Sequence, residues 1–306
     1  MGQVMRITRF LLSIGLCVVG SLAVAGDAGA QQEGAKKKVV FVAGKRSHGP
    51  GEHEHRAGCM LLAEHLNKSG LAIEAVVTFD GWPEDQSIFD GASAVVIYSD
   101  GGGGHPAMRN LTKLKELADK GVGIGAIHYA VEVPKGPGGD LFLDVIGGYF
   151  ETNWSVNPHW DASFKIPEHA VTRGIKDFQI RDEWYYHMRF PADMKGVTPI
   201  LSALPPADSL SRPDGAHSGN PEVRAAVLER KELQHLMWLF ERPQDAGAGR
   251  GFGFTGGHFH KNWQDDNHRR VVLNAVAWIA KLEVPKDGVP SKTPSAEEMQ
   301  ANLDKK

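Results

Sequence analysis

Histidine is the residue type best suited to chemistry in this chain, and half of its copies stand in predicted loops. The 306 residues include 14 His and only 2 Cys, so imidazole is available for metal binding or proton transfer while a thiolate cage is disfavoured. Seven histidines follow apolar runs and stand beside Gly or turn residues: His48, His53, His55, His105, His128, His258 and His260. This repeated placement predicts one site built from several loops.

Short apolar runs that alternate with amphipathic segments predict the elements that position these loops. Strands are predicted over 39–44, 72–78, 94–98, 122–127, 236–240 and 253–255. Helices are predicted over 55–68 and 106–120, followed near the end by a helix capped by Asp266. Residues 149–204 are interpreted as an irregular antiparallel extension, and 205–222 as a polar loop. The alternation predicts an α/β fold with a mostly parallel sheet.

The predicted sheet also indicates where the histidines should meet. In an open α/β sheet, the loops at the carboxyl ends of the parallel strands build the ligand site. The loops predicted to follow strands are 45–55, 99–106, 128–130 and 256–263. Because each of them carries at least one His, we expect the four loops to form one pocket.

Several familiar chemistries are disfavoured by the motifs. The segment that begins at His53 is not H-E-x-x-H, because Ala57 stands at the second His position, and a metalloprotease helix is therefore disfavoured. The Gly run over 101–104 lacks the Lys and Ser/Thr of a P-loop, and no nucleotide cofactor is expected. Neither Ser47 nor Ser99 lies in a G-x-S-x-G elbow. The formal net charge of −3 argues against a nucleic-acid partner.

Carboxylates and aromatic rings lie together in one segment. Asp182 and Glu183 precede three aromatic residues, and a carboxyl group beside apolar rings is a candidate for acid or base work. A half-buried strand with a salt-bridged Glu183 is the alternative interpretation. Four tryptophans could stack on a sugar or pack in the core: Trp154, Trp160, Trp184 and Trp263.

The first 30 residues have the pattern of a secretory signal peptide and linker. Arg6 and Arg9 precede an apolar run over 10–25 that ends in small residues. Cleavage after residue 25 or 30 predicts an exported protein, periplasmic or extracellular, and an uncleaved anchor is the alternative. No later stretch is apolar enough to span a membrane, so stable membrane insertion after cleavage is not expected.

Beyond this leader, the chain is interpreted as one domain over 38–282 with a polar tail over 283–306 that has little to bury. Cleavage would leave Cys59 as the one thiol, so no intrachain disulfide is expected. The sequence leaves the oligomeric state open.

Several of these segments together resemble the ThuA-like (trehalose utilisation) family. The resemblance covers roughly residues 38–282 and is carried by segments 40–44, 47–49, 125–128, 182–185, 257–258 and 274–278. It implies a flavodoxin-like fold related to class I glutamine amidotransferases, with helices on both faces of the sheet. In that superfamily a nucleophilic Cys follows the fourth strand, where this chain has His128. A Cys-dependent amidotransferase is therefore not expected, and Cys59 lies mid-helix where it cannot substitute.

The family resemblance implies a role in the catabolism of disaccharides through 3-keto sugars. A 3-keto-glycoside has an acidic proton at C2, which His128 or Glu183 would remove as the base. A divalent cation, Zn²⁺ or another transition ion, would be held by some of His48, His128, His258 and Glu183. Small-molecule sugar binding is assigned to Asp100, His105, Tyr129, Trp160, Tyr185, His260 and Trp263.

Two classes of function stay open at this point. The first is a sugar-processing hydrolase, lyase or isomerase, and the second is a non-catalytic exported carbohydrate-binding protein. A hydrolase that uses a serine nucleophile is a weaker third. Binding of unmodified glycans without turnover or metal dependence would favour the second class. A metal site requires His48, His128, His258 and Glu183 to converge within about 5 Å, because metal ligands must meet on that scale.

Overall fold

The computed structural model describes residues 35–243, 245 and 247–305, so the predicted signal peptide lies outside the described residues. The described chain contains nine β-strands: β1 (Lys37–Ala43), β2 (Ile73–Thr78), β3 (Ala92–Tyr98), β4 (Gly123–Ile127), β5 (His159–Phe164), β6 (Phe178–Glu183), β7 (Val197–Ala203), β8 (Gln234–Glu241) and β9 (Arg250–Phe254). It also contains six α-helices: α1 (His55–Lys68), α2 (Leu111–Asp119), α3 (Pro137–Ile146), α4 (Pro221–Arg224), α5 (Asp266–Ile279) and α6 (Ala296–Gln300).

Seven of these strands form one sheet in the order β2-β1-β3-β4-β9-β8-β7. The first five are parallel neighbours, and their order is that of a flavodoxin-like doubly wound sheet. β8 and β7 extend the sheet in antiparallel fashion, and β5 pairs with β6 in a separate antiparallel ribbon. The predicted α/β class, with its mostly parallel sheet and antiparallel extension, is confirmed.

Alternate residues of β1 face two different helix layers. Val39 and Phe41 belong to the core that includes α1 and α5, whereas Val40 and Val42 belong to the core that includes α2 and α3. All four side chains are fully buried, which explains why the strand sequence is a continuous apolar run instead of an alternating one. Helices therefore cover both faces, as the family resemblance implies.

Several element boundaries differ from those predicted. The predicted helix 106–120 is interrupted at Asn110 (φ −132°, ψ 24°), so a 3-10 turn over Pro106–Arg109 precedes α2. The cap of α5 is Asp265, which accepts the backbone N–H of His268, and not Asp266. The predicted loop 205–222 contains a 3-10 turn, and its end forms the start of α4, whose cap is Asn220.

Helix α3 was not predicted, although its sequence carries ordinary start and stop signals. Pro137 occupies its first turn, and Gly147 ends it in the left-handed conformation (φ 74°). Its apolar face packs Phe142 and Ile146 into the core shared with α2. The many glycines around residue 136 conceal this short amphipathic pattern in the sequence.

The C-terminal segment packs on the domain, and the expectation that it has little to bury is wrong. Val284, Val289 and Met299 are all at least 94% buried. Asn274 of α5 accepts the backbone N–H of Val289 at 2.7 Å, which anchors the segment where it leaves the helix layer. Within the described ranges, none of the helices combines the length and apolar character needed to cross a membrane.

Candidate functional site

Three imidazoles and one carboxylate converge at the carboxyl edge of the parallel strands. They belong to His53 in the loop after β1, His128 directly after β4, His258 in the loop after β9, and Glu183 at the end of β6. One ligand atom from each lies within 4.8 Å of all the others. We call these residues the four-ligand group. His128, His258 and Glu183 were predicted for the site, and His53 joins them.

The spacing within the four-ligand group fits a single metal ion. Nε2 of His53 lies 3.0 Å from both Nε2 of His128 and Nδ1 of His258. Oε2 of Glu183 lies 3.1 Å from Nδ1 of His258 and 3.4 Å from Nε2 of His128. Four donors placed about 2.0–2.1 Å from an ion at tetrahedral angles are about 3.3 Å apart. The four separations between neighbouring donors lie close to that value, and the two remaining pairs lie within 4.8 Å.

The partners of the outer ring nitrogens determine which tautomers are present. Nδ1 of His53 faces Oδ1 of Asp100 at 2.8 Å, and Nδ1 of His128 faces the backbone oxygen of Thr255 at 2.8 Å. Both partners are acceptors, so each Nδ1 carries the proton and each Nε2 presents a lone pair. Two lone pairs 3.0 Å apart repel each other unless a cation lies between them. A carboxylate or carbonyl behind each ligating imidazole is also the usual second shell of a metal site.

Asp182 positions both of the remaining ligands. Its carboxylate is fully buried and accepts the backbone N–H groups of Gly257 (2.7 Å), His258 (3.1 Å) and Glu183 (2.9 Å). Gly257 has a φ of +105°, a conformation that few other residues adopt. The sequence analysis assigned no separate role to Asp182, although its place beside Glu183 at a strand end was a signal.

Two ligands have left-handed backbone conformations, which cost about 1–2 kcal/mol each for a residue with a Cβ. The φ angles are 46° for His53 and 56° for His128. His128 begins a 3-10 turn over His128–Val131, so it lies on a sharp strand-to-helix turn at the edge of the sheet. Strain of this kind is concentrated at functional sites.

The electrostatic environment lowers the pKa of His53 and of Glu183, but it raises the pKa of His258. Burial lowers the pKa of His53 to about 2, although its hydrogen bond with Asp100 opposes this shift. Burial raises the pKa of Glu183, but hydrogen bonds with His128 and His258 outweigh it and hold the pKa well below its usual range. Burial also lowers the pKa of His258, yet its hydrogen bond with Glu183 raises it overall. A cation would replace the proton that His258 and Glu183 attract.

His48, predicted as a metal ligand, lies outside the four-ligand group. Its ring stacks on His53 with centroids 3.6 Å apart, and its Nδ1 hydrogen bonds to Ser47 Oγ at 2.9 Å. The side chain is 40% exposed, and its Nδ1 lies 3.8 Å from Asp100. His53, five residues further along the same loop, occupies the ligand position instead, because the loop turns back toward His258 through a backbone hydrogen bond.

Three other predicted site residues surround the four-ligand group. Asp100 supports His53, and the Tyr185 hydroxyl lies 3.2 Å from Nε2 of His128. The Tyr129 ring lies 5.9 Å from the ring of His53. Burial raises the pKa of Tyr185 well above its usual value, so its hydroxyl stays protonated and can donate a hydrogen bond.

The remaining predicted sugar contacts are placed elsewhere. Nδ1 of His105 accepts the backbone N–H of Ala107, and its Nε2 donates to the backbone oxygen of Ala130, so this ring caps a 3-10 turn. Trp160 and Trp263 are 3% and 0% exposed and pack in the core. His260 is also buried, at 4% exposure. Buried rings have no open face for a sugar, and this placement argues against direct contact with a ligand.

One histidine that the sequence analysis did not assign to the site supports the same region. Nε2 of His217 lies 3.0 and 3.1 Å from the two carboxylate oxygens of Glu132, which is 3% exposed. The pair ties the 205–220 loop to the turn that follows His128. A lone His in a polar loop carries no sequence signal for such a role.

Glu54 ties the C-terminal segment to the loop that carries His53. Its carboxylate accepts the backbone N–H groups of Gly51 (3.0 Å) and Asp304 (2.8 Å), and the residue is 1% exposed. The end of the chain therefore packs behind a ligand-bearing loop.

We expect Glu54→Gln to lower the free energy of unfolding by about 1–3 kcal/mol, because an amide NH₂ would face a buried N–H donor. Chemical denaturation measures this difference. Glu64→Gln is the matched control, since this side chain of α1 is exposed and its ion pair with Lys68 lies on the surface. Equal unfolding curves for the two variants would contradict the role given to Glu54.

Comparison with known proteins agrees with this fold. A ThuA-like protein from Bacteroides uniformis superposes with a TM-score of 0.54 and 15% identity, over 83% of this chain and 94% of that chain. A ThuA-like protein from Parabacteroides merdae gives 0.53 and 16%, over 86% and 98%. No curated protein matches the sequence.

The family assignment rests on the sequence of the domain itself. The family model described as trehalose utilisation, ThuA, matches residues 38–279. This range includes every member of the four-ligand group as well as Asp100 and Asp182. Because the match spans well over half of the 306 residues, the chain belongs to the ThuA (trehalose utilisation) family.

Proposed function

We propose that this chain is an exported, metal-dependent enzyme of carbohydrate catabolism that acts on 3-keto-glycosides or related sugars. The observation that carries the proposal is the four-ligand group, in which the lone pairs of His53 and His128 face each other at 3.0 Å. The trehalose-utilisation family supports a sugar substrate. The signal-peptide pattern in the first 30 residues supports export to the periplasm or beyond.

The donor set indicates which kind of ion would bind. Three imidazole nitrogens and one carboxylate oxygen suit Zn²⁺ and other divalent transition ions better than Ca²⁺ or Mg²⁺, which prefer oxygen ligands. Four protein ligands saturate a tetrahedral ion, so catalysis requires an ion that accepts a fifth or sixth ligand. We therefore expect Zn²⁺ in an expanded geometry, or another transition ion with octahedral preference.

A bound ion would polarise the ketone of the substrate and make the C2 proton more acidic. Nε2 of His128 and Oε2 of Glu183 both face the ion position, so these atoms are not available as bases. Oε1 of Glu183 points away from it and is the base that we assign. The Tyr185 hydroxyl is a hydrogen-bond donor beside this centre, 3.2 Å from Nε2 of His128. His128, one of the two predicted bases, is reassigned as a ligand.

Cleavage of a 3-keto-glycoside by elimination requires no co-reactant, and hydrolysis requires only water. The base takes the C2 proton, and the electron pair of that bond moves toward the C3 ketone as an enediolate. The same electrons then form a C1–C2 double bond while the C1–O bond breaks, and the departing oxygen takes the proton that the base removed from C2. Addition of water to C1 would complete a hydrolysis, whereas release before that addition would make the enzyme a lyase.

The test combines metal analysis with turnover of 3-keto-trehalose. We expect about one transition ion per chain after purification, loss of turnover on chelation, and recovery when the ion is restored. A purified protein that binds no divalent ion at any pH where it is folded would overturn the metal proposal. Turnover that survives complete chelation would do the same.

The alternative of a non-catalytic carbohydrate-binding protein has weaker support. Three of the four tryptophans considered for sugar stacking are buried, with exposures of 3% for Trp160 and 0% for Trp184 and Trp263. Trp154 is already covered by the guanidinium of Arg189, 3.5 Å from its ring centroid. Saccharide binding without turnover or metal dependence would favour this alternative.

A further inference from the structure

A polar cleft adjoins the four-ligand group on the side of Glu183. Its volume is about 290 Å³, and it is open to solvent. It is lined by Asn157, Pro158, His159, Glu183, Asp208, Ser209, Ser211 and Arg212. Apart from Glu183, these residues come from the start of β5 with the two residues before it, and from the 205–220 loop. Of these two segments, only the start of β5 was predicted to contribute to the site, through Trp160.

Glu183 connects this cleft to the four-ligand group through its two oxygens. Oε2 faces His128 and His258, whereas Oε1 accepts a hydrogen bond from Nδ2 of Asn157 at 3.1 Å. Nε2 of His159 lies 3.7 Å from the same Oε1, and the His159 side chain is 41% exposed. A molecule in the cleft would therefore contact the carboxylate that also faces the ion position.

Arg212 is held at the cleft wall by hydrogen bonds from one of its three guanidinium nitrogens. Its Nη2 donates to Oδ1 of Asn157 (2.9 Å) and to the backbone oxygen of His217 (3.1 Å). Its Nε and Nη1 groups donate no hydrogen bond to any residue in the described part of the chain. Guanidinium has five N–H donors in a rigid fork, so a positioned Arg with unused donors is suited to donating hydrogen bonds to adjacent oxygen atoms of a ligand.

The chemistry of the lining indicates the class of ligand. All of the lining residues except Pro158 are polar, which disfavours an apolar ligand. Asp208 and Glu183 would repel an anion, although Arg212 alone would attract one. The volume is slightly below the range of about 300–1,000 Å³ that holds drug-sized molecules. One neutral, hydroxyl-rich ring of monosaccharide size fits these limits.

We propose that this cleft is a sugar-ring subsite of the enzyme and that Arg212 determines its affinity for the ring hydroxyls. The proposal rests on the proposed function, because the ring in the cleft would belong to the same keto-glycoside whose ketone approaches the ion. Asn157 is a positioning residue here, since it orients both Glu183 and Arg212.

The test compares Arg212→Ala and Arg212→Lys with the native protein, using 3-keto-trehalose as the probe. We expect KM to rise about 10-fold or more in Arg212→Ala, because a hydrogen bond to a charged group is lost in both ground and transition states. The kcat value should change by less than about twofold, and the ion content should not change. Arg212→Lys should recover part of the affinity, since it keeps the charge but not the fork.

Arg230→Ala is the matched control, because this exposed Arg pairs with Glu232 and lies outside the cleft. It should leave both kinetic constants unchanged. An unchanged KM in both Arg212 variants would overturn the subsite while leaving the enzyme proposal intact. A lower kcat with an unchanged KM, or loss of the ion, would also overturn it, because Arg212 would then act through the four-ligand group.

The subsite can also be tested without turnover. If the native protein does not act on 3-keto-trehalose, calorimetric titration with 3-keto-trehalose and with trehalose measures binding directly. Binding that weakens about 10-fold or more in Arg212→Ala would support the subsite although the proposed reaction has failed. Binding that is equal in the two proteins, or absent from both, would overturn the subsite together with the reaction.

Discussion

Replacing His53 with Ala is expected to remove the ion from the protein, whereas replacing His48 with Ala is expected to retain it. His53 Nε2 lies 3.0 Å from two other ligand nitrogens, so its loss opens one corner of the four-ligand group. Loss of a partner behind a ligand typically costs 10–100-fold in metal affinity, and loss of the ligand itself should cost at least about 100-fold. His48 stacks on His53 and contributes no atom to the four-ligand group.

The measurement is the ratio of ion to protein after dialysis against a buffer with little free metal. We expect about one ion per chain for the native protein and His48→Ala, and less than about one tenth for His53→Ala and His258→Ala. His48→Ala is the matched control because it removes an imidazole from the same loop. Retention of the ion by His53→Ala would show that the four-ligand group is not the binding site.

The second large effect is expected for Glu183→Gln, which should lower turnover of 3-keto-trehalose about 10²–10⁴-fold even when the ion is saturating. Glutamine keeps the shape of the side chain and one oxygen for the ion, but it cannot accept the C2 proton. The side chain is 13% exposed and its Oε1 faces the cleft, so the substitution leaves access to the site unchanged.

Glu52→Gln provides the control for this experiment. Glu52 Oε1 lies 3.6 Å from Nε2 of His258, on the side of that ring away from Glu183. When the ion is saturating, Glu52→Gln should lower turnover far less than Glu183→Gln does, because loss of a partner behind a ligating ring mainly weakens ion binding, by about 10–100-fold. Kinetics are measured at several ion concentrations so that weaker metal binding is separated from a slower reaction. Full turnover by ion-saturated Glu183→Gln would rule out Glu183 as the base.

The existence of the parallel strands could be anticipated because each strand has a local signature. β1 and β3 are continuous apolar runs, and the segments between them have helical periodicity, so hydrophobic burial on both faces leaves few alternatives. The same logic placed the loops after β1, β4 and β9 at one edge of the sheet, where the structure brings His53, His128 and His258 together. Helix α3 was not predicted because the glycines in its first turn interrupt the helical spacing of its apolar residues.

Local sequence patterns could not show which of two residues of the same type takes part in the site. His48 and His53 share a loop and a side-chain type, and the difference between them arises from Asp100 and His258, which are far away in the sequence. Trp160 and Trp263 were assigned to sugar contact, but both rings are buried in the core. The local sequence does not distinguish the two cases, because an exposed aromatic ring and a core ring have the same sequence pattern.

By itself, the sequence determined the α/β class, the edge of the sheet that carries the histidines, and the supply of imidazole and carboxylate groups, since these follow from hydrophobic periodicity and composition. Only the tertiary structure decided which four groups meet, that Asp182 holds two of them in place, and that a polar cleft with Arg212 opens beside Glu183. These features depend on contacts between residues distant in the chain. Such contacts form only when the whole sheet has assembled, and no local pattern encodes them.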